Sequence, residues 1–381
     1  MHPTFSVISN AVAHAKSLAI SSGSRSLTYG ELLAVAWKIR AQIRLVVAGE
    51  QAAKSIQPLD FSTAKIGVLM PHGSVEFVAC ELSVWSLGSC VVPLWASHKT
   101  SELDYIMRDS GCNVVVVHES LAAVCPSASS SCTVMTIPDV LQCSAEEVHQ
   151  ATAQAALLPP PPSNSDCHII YTSGTTSRPK GCVSTFSAVA HQAQILIGAW
   201  KWSAVDVILH CLPLHHVHGL VNALLCPLMS GACIKMLPKF DADEVWDHIS
   251  GNNGLIPSVF MAVPTMYVRL IAAHAQQTPQ RQQQLSAAVQ SMRLLVSGSA
   301  AMPLSVHNAW RNLSAGQTLL ERYGMTVSFC ECASQCPPAA LSARSRSFAG
   351  VLHGSVQPVH WKTNAGVCGT AAAGHVCEVG A

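Results

Sequence analysis

The run Tyr-Thr-Ser-Gly-Thr-Thr-Ser-Arg-Pro-Lys-Gly, from Tyr171 to Gly181, holds five serine or threonine hydroxyls, two glycines and one lysine. These residue types suit an anionic oxygen ligand. Glycine lets backbone N–H groups approach closely, hydroxyls donate hydrogen bonds and lysine supplies charge. The run departs from the nucleotide-triphosphatase loop G-x-x-x-x-G-K-[ST]. Lys180 precedes the second glycine, and Pro179 stops a helix from starting there. The bland alternative is a Ser/Thr-rich surface turn. Three more stretches follow: LPLHHVHGL (212–220), RLLVSGSAAMP (293–303) and LLERYGMT (319–326). His215, His216 and His218 suggest a metal site. They lack the i, i+4 spacing of one helical face, however, and no Cys or Glu joins them nearby. Cys330, Cys332 and Cys336 form C-x-C-x3-C, too few ligands for a metal centre.

In this order and spacing the four stretches resemble the adenylate-forming (AMP-binding) enzymes: acyl-CoA synthetases, luciferases and peptide-synthetase adenylation domains. Their signature loop reads [Y/F]-T-S-G-T-T-G-x-P-K-G, and nine of its ten defined positions match here. Ser177 stands where the family has glycine. If that position needs φ > 0, serine costs on the order of 1 kcal/mol. The resemblance implies that Thr172, Ser173, Gly174, Thr175, Thr176 and Lys180 hold the β- and γ-phosphates of ATP. It implies a backbone wall for adenine at Gly298, Ser299 and Ala300. Glu321, Arg322, Tyr323, Gly324, Met325 and Thr326 would continue the ATP site, with Tyr323 near adenine and Thr326 near the α-phosphate. His216 would lie beside the acyl group and the thiol tunnel. Lys180, His216 and Thr326 are the implied catalytic residues.

LPLHHVHGLVNALLCPL, VSGSAAMP and LLERYGMT look most like the malonyl-CoA synthetase branch, whose substrates are malonate and methylmalonate. A second carboxylate needs a cation, preferably a bidentate one. Arg293 is the first candidate and Arg269 the second; the alternative for each is a surface arginine. The implied reaction has two halves. A carboxylate attacks the α-phosphorus of MgATP, giving acyl-adenylate and pyrophosphate, and CoA thiol then displaces AMP. The first half is positioning and charge neutralisation. ATP, Mg²⁺, CoA and a small carboxylate are the implied ligands. Thr172 is the implied magnesium contact. The family's glutamate ligand follows Y-G-M-T, where this sequence has Val327, which cannot coordinate a metal; Glu331 lies four residues later.

The elements that would position these residues alternate as in a parallel sheet covered on both faces. KIGVLM (65–70), CVVPL (90–94) and NVVVV (113–117) read as strands. A helix capped by Ser74 runs to Leu87, and SELDYIMRDSG is a capped helix. SRSLTYGELL reads as a short strand and then a helix from Glu31. Residues 120–165, with their SASSSC and LLPPPPSNSD runs, read as a low-complexity excursion and linker. HIIYTS is a strand and Ser184 begins a helix to Trp200. LVNALLCPLMSG is a buried helix, and VILHCLPL, CIKML, SVFMAV, RLLVSGS and LLERYG are strands. DADEVWDHI and PTMYVRLIAAHA are helices, with QQTPQRQQQ a solvated connection. The expected fold is α/β: a truncated large amino-terminal domain of the adenylate-forming fold, with parallel-sheet subdomains and flanking helices. It lacks the last subdomain and the carboxy-terminal lid. Residues 1–326 form the partial AMP-binding domain, with the resemblance spanning roughly 5–326. Residues 327–381 form an irregular non-family tail, read as a splice form, retained intron or gene-model error.

Composition limits the alternatives. The chain has 381 residues, 11% charged, with a formal net charge of +1. That argues against a nucleic-acid surface, and no apolar run is long enough to span a membrane. Of the 16 cysteines, Cys80, Cys90, Cys167, Cys182, Cys211, Cys226 and Cys233 mostly sit in apolar runs, as free thiols of a reducing compartment do. Residues 1–30 carry no Asp or Glu, so they faintly resemble a transit peptide, although an ordinary helix and turn fit better. The expected location is cytoplasmic or mitochondrial. Two other functions stay open: a catalytically impaired fragment, and an adenylating enzyme for an amino or aryl acid.

Overall fold

A computed structural model describes residues 6–53, 60–127, 132–138, 142–172, 178–324, 326, 362–363 and 377–378. Helix α1 (Val7–Ala13) leads into β1 (Leu18–Ser22), β2 (Arg25–Thr28) and the long helix α2 (Tyr29–Ala53). Then come β3 (Lys65–Leu69), α3 (Val75–Ser86), β4 (Cys90–Leu94), α4 (Thr100–Ser110), β5 (Val114–His118), β6 (Thr133–Ile137), α5 (Ala145–Ala156), β7 (Asp166–Thr172) and β8 (Lys180–Thr185). After α6 (Phe186–Trp200) and β9 (Val207–His210), a π-helical segment (His218–Leu225) runs into α7 (Cys226–Leu228). The order continues β10 (Cys233–Met236), α8 (Ala242–Ile249), β11 (Val259–Ala262), α9 (Pro264–Ala275), α10 (Pro279–Gln290), β12 (Leu294–Gly298), α11 (Leu304–Leu313) and β13 (Leu319–Arg322).

Two sheets result. The smaller has the order β6-β5-β3-β4-β7-β8 and the larger β13-β12-β11-β9-β10-β1-β2. Pairing is parallel except at β7–β8 and β1–β2. β5 is buried at every residue, as its unbroken apolar run requires. Helix α3 is buried at eleven of its twelve residues, including Val78, Leu82 and Trp85, so it packs on all sides rather than showing a polar face to water. One core cluster joins α3 to Ile20 of β1, Val68 of β3 and Leu220 of the π-helical segment. A close backbone approach links the sheets. Gly73 has φ +68°, and a Cβ there would lie 2.6 Å from the Leu237 carbonyl oxygen. Ser22 Oγ donates to the Gly73 carbonyl at 2.8 Å.

Several expectations need correction. Residues 120–165 are not only an excursion: β6 pairs parallel with β5, and α5 is a two-sided capping box. Ser144 Oγ accepts from Glu147 N–H, and Glu147 accepts from Ser144 N–H. The Gln-rich connection is a helix, α10, with Thr278 as N-cap and Pro279 in its first turn. Residues 180–185 extend as β8, so the helix expected from Ser184 starts at Phe186, capped by Thr185. The helix expected from Glu31 starts two residues earlier, at Tyr29. The transit-like reading of residues 1–30 fails from Val7 onward: Val7 and Ala11 are buried, and β1 pairs with β10. Residues 327–361 and 364–376 lie outside the described residues. Lys362–Thr363 and Cys377–Glu378, two short strands the sequence reading did not give, pair antiparallel.

Candidate active site

The carboxyl-terminal ends of parallel strands from both sheets supply the polar residues, as expected for ligand sites in open α/β sheets. The Ser/Thr-rich loop joins two antiparallel strands, β7 and β8. Thr172 and Lys180 are register partners at its base, with Tyr171 opposite Gly181. Lys180 is exposed and Thr172 half-buried. Ser173, Gly174, Thr175, Thr176 and Ser177 lie outside the described residues. Helix α4 braces the hairpin: Tyr171 Oη donates to Asp109 at 2.7 Å, and Tyr105 Oη donates to the Pro179 carbonyl at 3.0 Å. Burial, and then Asp109, push the Tyr171 hydroxyl well above the usual tyrosine range.

Segment 211–218, after β9, points its histidines two ways. His215 packs at a tilt between Trp95, 4.3 Å away, and His216, 4.0 Å away. His72 packs edge-on to Trp95 at 4.4 Å, and His98 lies 5.8 Å from His215. This aromatic column joins the ends of β3, β4 and β9. Burial first, then the neighbouring histidines, push His215 down to about 3 and His216 below its usual value, so both rings are neutral at pH 7. His216 is the exposed member. The metal alternative finds no support: among the described residues no three His, Cys, Asp or Glu side chains are placed to hold a metal ion.

His218 points inward, 4% exposed, with Nδ1 3.1 Å from Ser299 Oγ. It starts the π-helical segment, a form that often marks functional sites. His210 Nε2 donates to the Gly219 carbonyl at 2.9 Å, which fixes its tautomer. Gly298 and Arg322 are register partners ending β12 and β13. A Cβ on Gly298 would lie 3.1 Å from His218 Cε1 and 3.2 Å from the Arg322 carbonyl oxygen, so only glycine leaves that space open. Ser299 follows at φ +69°, a conformation that costs a non-glycine residue about 1 kcal/mol and that clusters at functional sites. Ala300 is exposed. Glu321 accepts from Met302 N–H at 3.2 Å, which ties the turn after β12 to β13. Tyr323 and Gly324 are exposed, and Thr326 is half-buried; Met325 and Val327 lie outside the described residues.

The two arginines proposed for a second carboxylate are placed differently. Arg293 precedes β12, at the opposite rim from Gly298. Its Nε and Nη2 close on Asp206 at 2.8 and 2.9 Å, and Nη1 donates to the Trp200 carbonyl at 2.7 Å. Burial would raise Asp206, yet hydrogen bonds from Arg293 and Ser258, Coulomb attraction to Arg293 and a backbone hydrogen bond at Ser203 together hold it below the usual carboxylate range. Arg293 is therefore a structural ion pair. Arg269 is exposed on α9, its guanidinium 4.9 Å over the Phe240 ring.

Sequence reasoning placed Arg322 with the ATP wall. In the structure it is half-buried, and among the described residues it makes a long hydrogen bond to Asn222 Oδ1, 3.4 Å. No carboxylate pairs with it among the described residues. Burial, then Arg322 and His210, push His218 down to about 3. Beside this cation, His218 Nε2 and Asn222 Nδ2 are buried without hydrogen-bond partners among the described residues. Each such atom costs roughly 1–3 kcal/mol if left dry. The group suits a small oxygen-rich ligand carrying negative charge.

Residues 9–361 match the family model described as AMP-binding enzyme, beyond the 326 that the motifs reach. The chain is 39% identical over 269 residues to a mitochondrial malonate–CoA ligase of Xenopus laevis, covering 69% of this chain and 46% of that protein. It is 34% identical over 330 residues to a malonate–CoA ligase of Arabidopsis thaliana, covering 81% of this chain and 53% of that one. Among solved structures, ATP-bound MatB of Rhodopseudomonas palustris matches with TM-score 0.65 at 28% identity, covering 85% of this chain and 60% of MatB. A malonyl-CoA ligase with methylmalonyl-CoA and AMP bound matches with TM-score 0.64 at 28% identity, covering 84% of this chain and 61% of that one. The chain thus spans about half the length of the curated relatives it matches.

Proposed function

The chain belongs to the AMP-binding enzyme family, and on that premise we propose that it activates a small dicarboxylate, malonate or methylmalonate, as an acyl-adenylate for transfer to CoA. One observation carries the substrate class. Arg322, a half-buried guanidinium without a carboxylate partner among the described residues, sits beside the unpartnered atoms of His218 and Asn222. A monocarboxylate would leave that charge and those atoms unanswered; a second carboxylate answers both. The names of the relatives point the same way.

In this reading Thr172 and Lys180 flank the β- and γ-phosphates, with the hydroxyl and glycine residues 173–176 between them. Gly298, Ser299 and Ala300 offer a flat backbone edge to adenine. The neutral, exposed His216 lies next to the reacting carboxylate without drawing it away as a charged partner would. Arg322 holds the far carboxylate and turns the near one towards phosphorus, which is catalysis by orientation. Arg269, in the middle of α9, is the second cation available. Since the described residues form no metal cage, magnesium fits as part of the MgATP substrate, with the Thr172 hydroxyl as the protein oxygen offered to it. Bound there, it neutralises triphosphate charge.

ATP–pyrophosphate exchange by the purified chain tests this, with malonate, methylmalonate, acetate and a long-chain fatty acid offered separately. Exchange driven by the dicarboxylates supports the proposal, whereas equal exchange with acetate overturns the substrate class. A second reading is nucleotide binding without turnover. It is favoured by Val327, which stands where the family's magnesium glutamate follows Y-G-M-T. A folded chain that binds ATP yet exchanges no pyrophosphate would support it.

A further inference from the structure

A second polar cluster lies between α3 and the β7–β8 hairpin. Glu81 of α3 and His168 of β7 are both 0% exposed. Glu81 Oε1 and His168 Nε2 are 3.7 Å apart, just outside hydrogen-bond distance. Ser184 of β8 is the register partner of His168 and is also buried. Directly opposed residues of an antiparallel pair share a face, with Cβ atoms about 5 Å apart. Among the described residues, both Glu81 oxygens, both His168 ring nitrogens and Ser184 Oγ lack hydrogen-bond partners. Native interiors rarely leave so many polar atoms together unanswered.

The three groups can answer one another. No Lys or Arg forms an ion pair with Glu81 among the described residues. The titratable neighbours are Cys80 and Glu76 of α3 and Cys167 of β7, with Cys90 of β4, Asp166 and Lys65 beyond them. Burial raises Glu81 well above the usual carboxylate range and pushes His168 down to about 3. Burial thus favours the neutral form of each, an acid with a single O–H and an imidazole with one donor and one acceptor. In those forms the Glu81 O–H can donate to His168 Nε2 and His168 Nδ1–H to Ser184 Oγ, once small side-chain rotations close both pairs, neither of which is bonded in the structure.

We propose that Glu81, His168 and Ser184 form a sealed hydrogen-bonded relay that positions the β7–β8 hairpin. The residue types are those of a Ser–His–acid catalytic set, but full burial keeps any substrate away. The relay acts on the hairpin. It ties α3 to both strands, four residues before Thr172 on β7 and four after Lys180 on β8. Its effect on nucleotide affinity rests on reading the intervening loop as the phosphate cradle; its effect on the hairpin does not.

Amide hydrogen exchange on the full 381-residue chain tests the relay. Glu81→Leu should speed exchange of residues 166–172 and 180–185 about tenfold while β3 and β5 stay as in wild type. Glu81→Gln, whose amide can still donate to His168, should restore wild-type protection. In the infrared, wild type should show a deuterium-sensitive carbonyl stretch of a buried carboxylic acid that Glu81→Gln lacks. If Glu81→Leu fails to fold, Ser184→Ala serves instead, with faster exchange confined to the hairpin. Unchanged hairpin exchange in the folded variant overturns the relay, as does the absence of that carbonyl band. Nucleotide affinity is measured alongside. If the wild-type chain binds no ATP, the phosphate-cradle reading fails, while exchange and infrared still decide the relay.

Discussion

Arg293 and Arg322 stand on neighbouring strands of one sheet, at opposite rims. Five residues of β12, about 16 Å of strand, separate the Arg293 end from Gly298, the register partner of Arg322. At the amino-terminal rim Arg293 meets an ionised, 2% exposed carboxylate in bidentate geometry, and every strong donor has an acceptor. At the carboxyl-terminal rim Arg322 meets one amide oxygen at 3.4 Å, amid unpartnered polar atoms. The same side chain is finished structure in one place and unspent binding capacity in the other. Residue type therefore says little about an arginine's role, and the identity of its partner says a great deal.

The largest way to separate the rims is acid. His210 and His218 serve the carboxyl-terminal rim and are pushed down to about 4 and about 3. A folded-state pKa below the unfolded value of 6.5 gives stability that is whole above pH 6.5 and is lost as pH falls towards those values. By pH 5 each histidine removes about 2 kcal/mol. Asp206, lowered from 3.8, keeps its contribution until pH drops below the usual carboxylate range. Hydrogen exchange at pH 5 should therefore show β9 and the π-helical segment opening, with the Arg293–Asp206 contact still protected. Equal loss at both rims would break the comparison. Next in size, Arg322→Ala should raise the malonate KM about 100-fold, the scale of a desolvated charge pair losing its cation. Its melting temperature should stay close to wild type. Arg293→Ala should do the reverse: a loss of about 2 kcal/mol in denaturant unfolding, and no change in carboxylate preference. That is less than for a sealed pair, since Arg293 is 37% exposed. The smallest effect sharpens the geometry. Ser299→Ala keeps the strained φ but loses the His218 contact, so it should cost about 1 kcal/mol. Ser299→Gly also relieves the strain and should come out near zero.

The motif order in the sequence carried the family, and the apolar runs carried β3, β4, β5 and β7. What escaped reading did so for identifiable reasons. The strand β8 hid because its residues are half-polar and directly follow a proline. Helix α5 sits between a Ser-rich run and four prolines, so composition drowned its S-x-x-E cap at Ser144. Helix α10 lacks an apolar stripe, and only Thr278-Pro279 marked its start. In the candidate site, His215 and His216 were visible as a motif, but their partners Trp95, His98 and His72 come from the other sheet. No spacing rule joins residues so far apart in sequence. The Arg293 assignment failed because a sequence cannot show that Asp206, 87 residues earlier, already occupies that guanidinium. Arg322 was in view within LLERYGMT, and only its missing partner changed its meaning.

The most direct test of this account is the ratio of malonate-dependent to acetate-dependent ATP–pyrophosphate exchange in wild type, Arg322→Gln and Arg293→Gln chains, measured side by side. The account predicts a wild-type ratio well above one, a collapse towards or below one in Arg322→Gln, and a wild-type ratio in Arg293→Gln. A malonate preference that survives Arg322→Gln, or disappears with Arg293→Gln, would contradict it, and so would a wild-type chain that exchanges with neither acid.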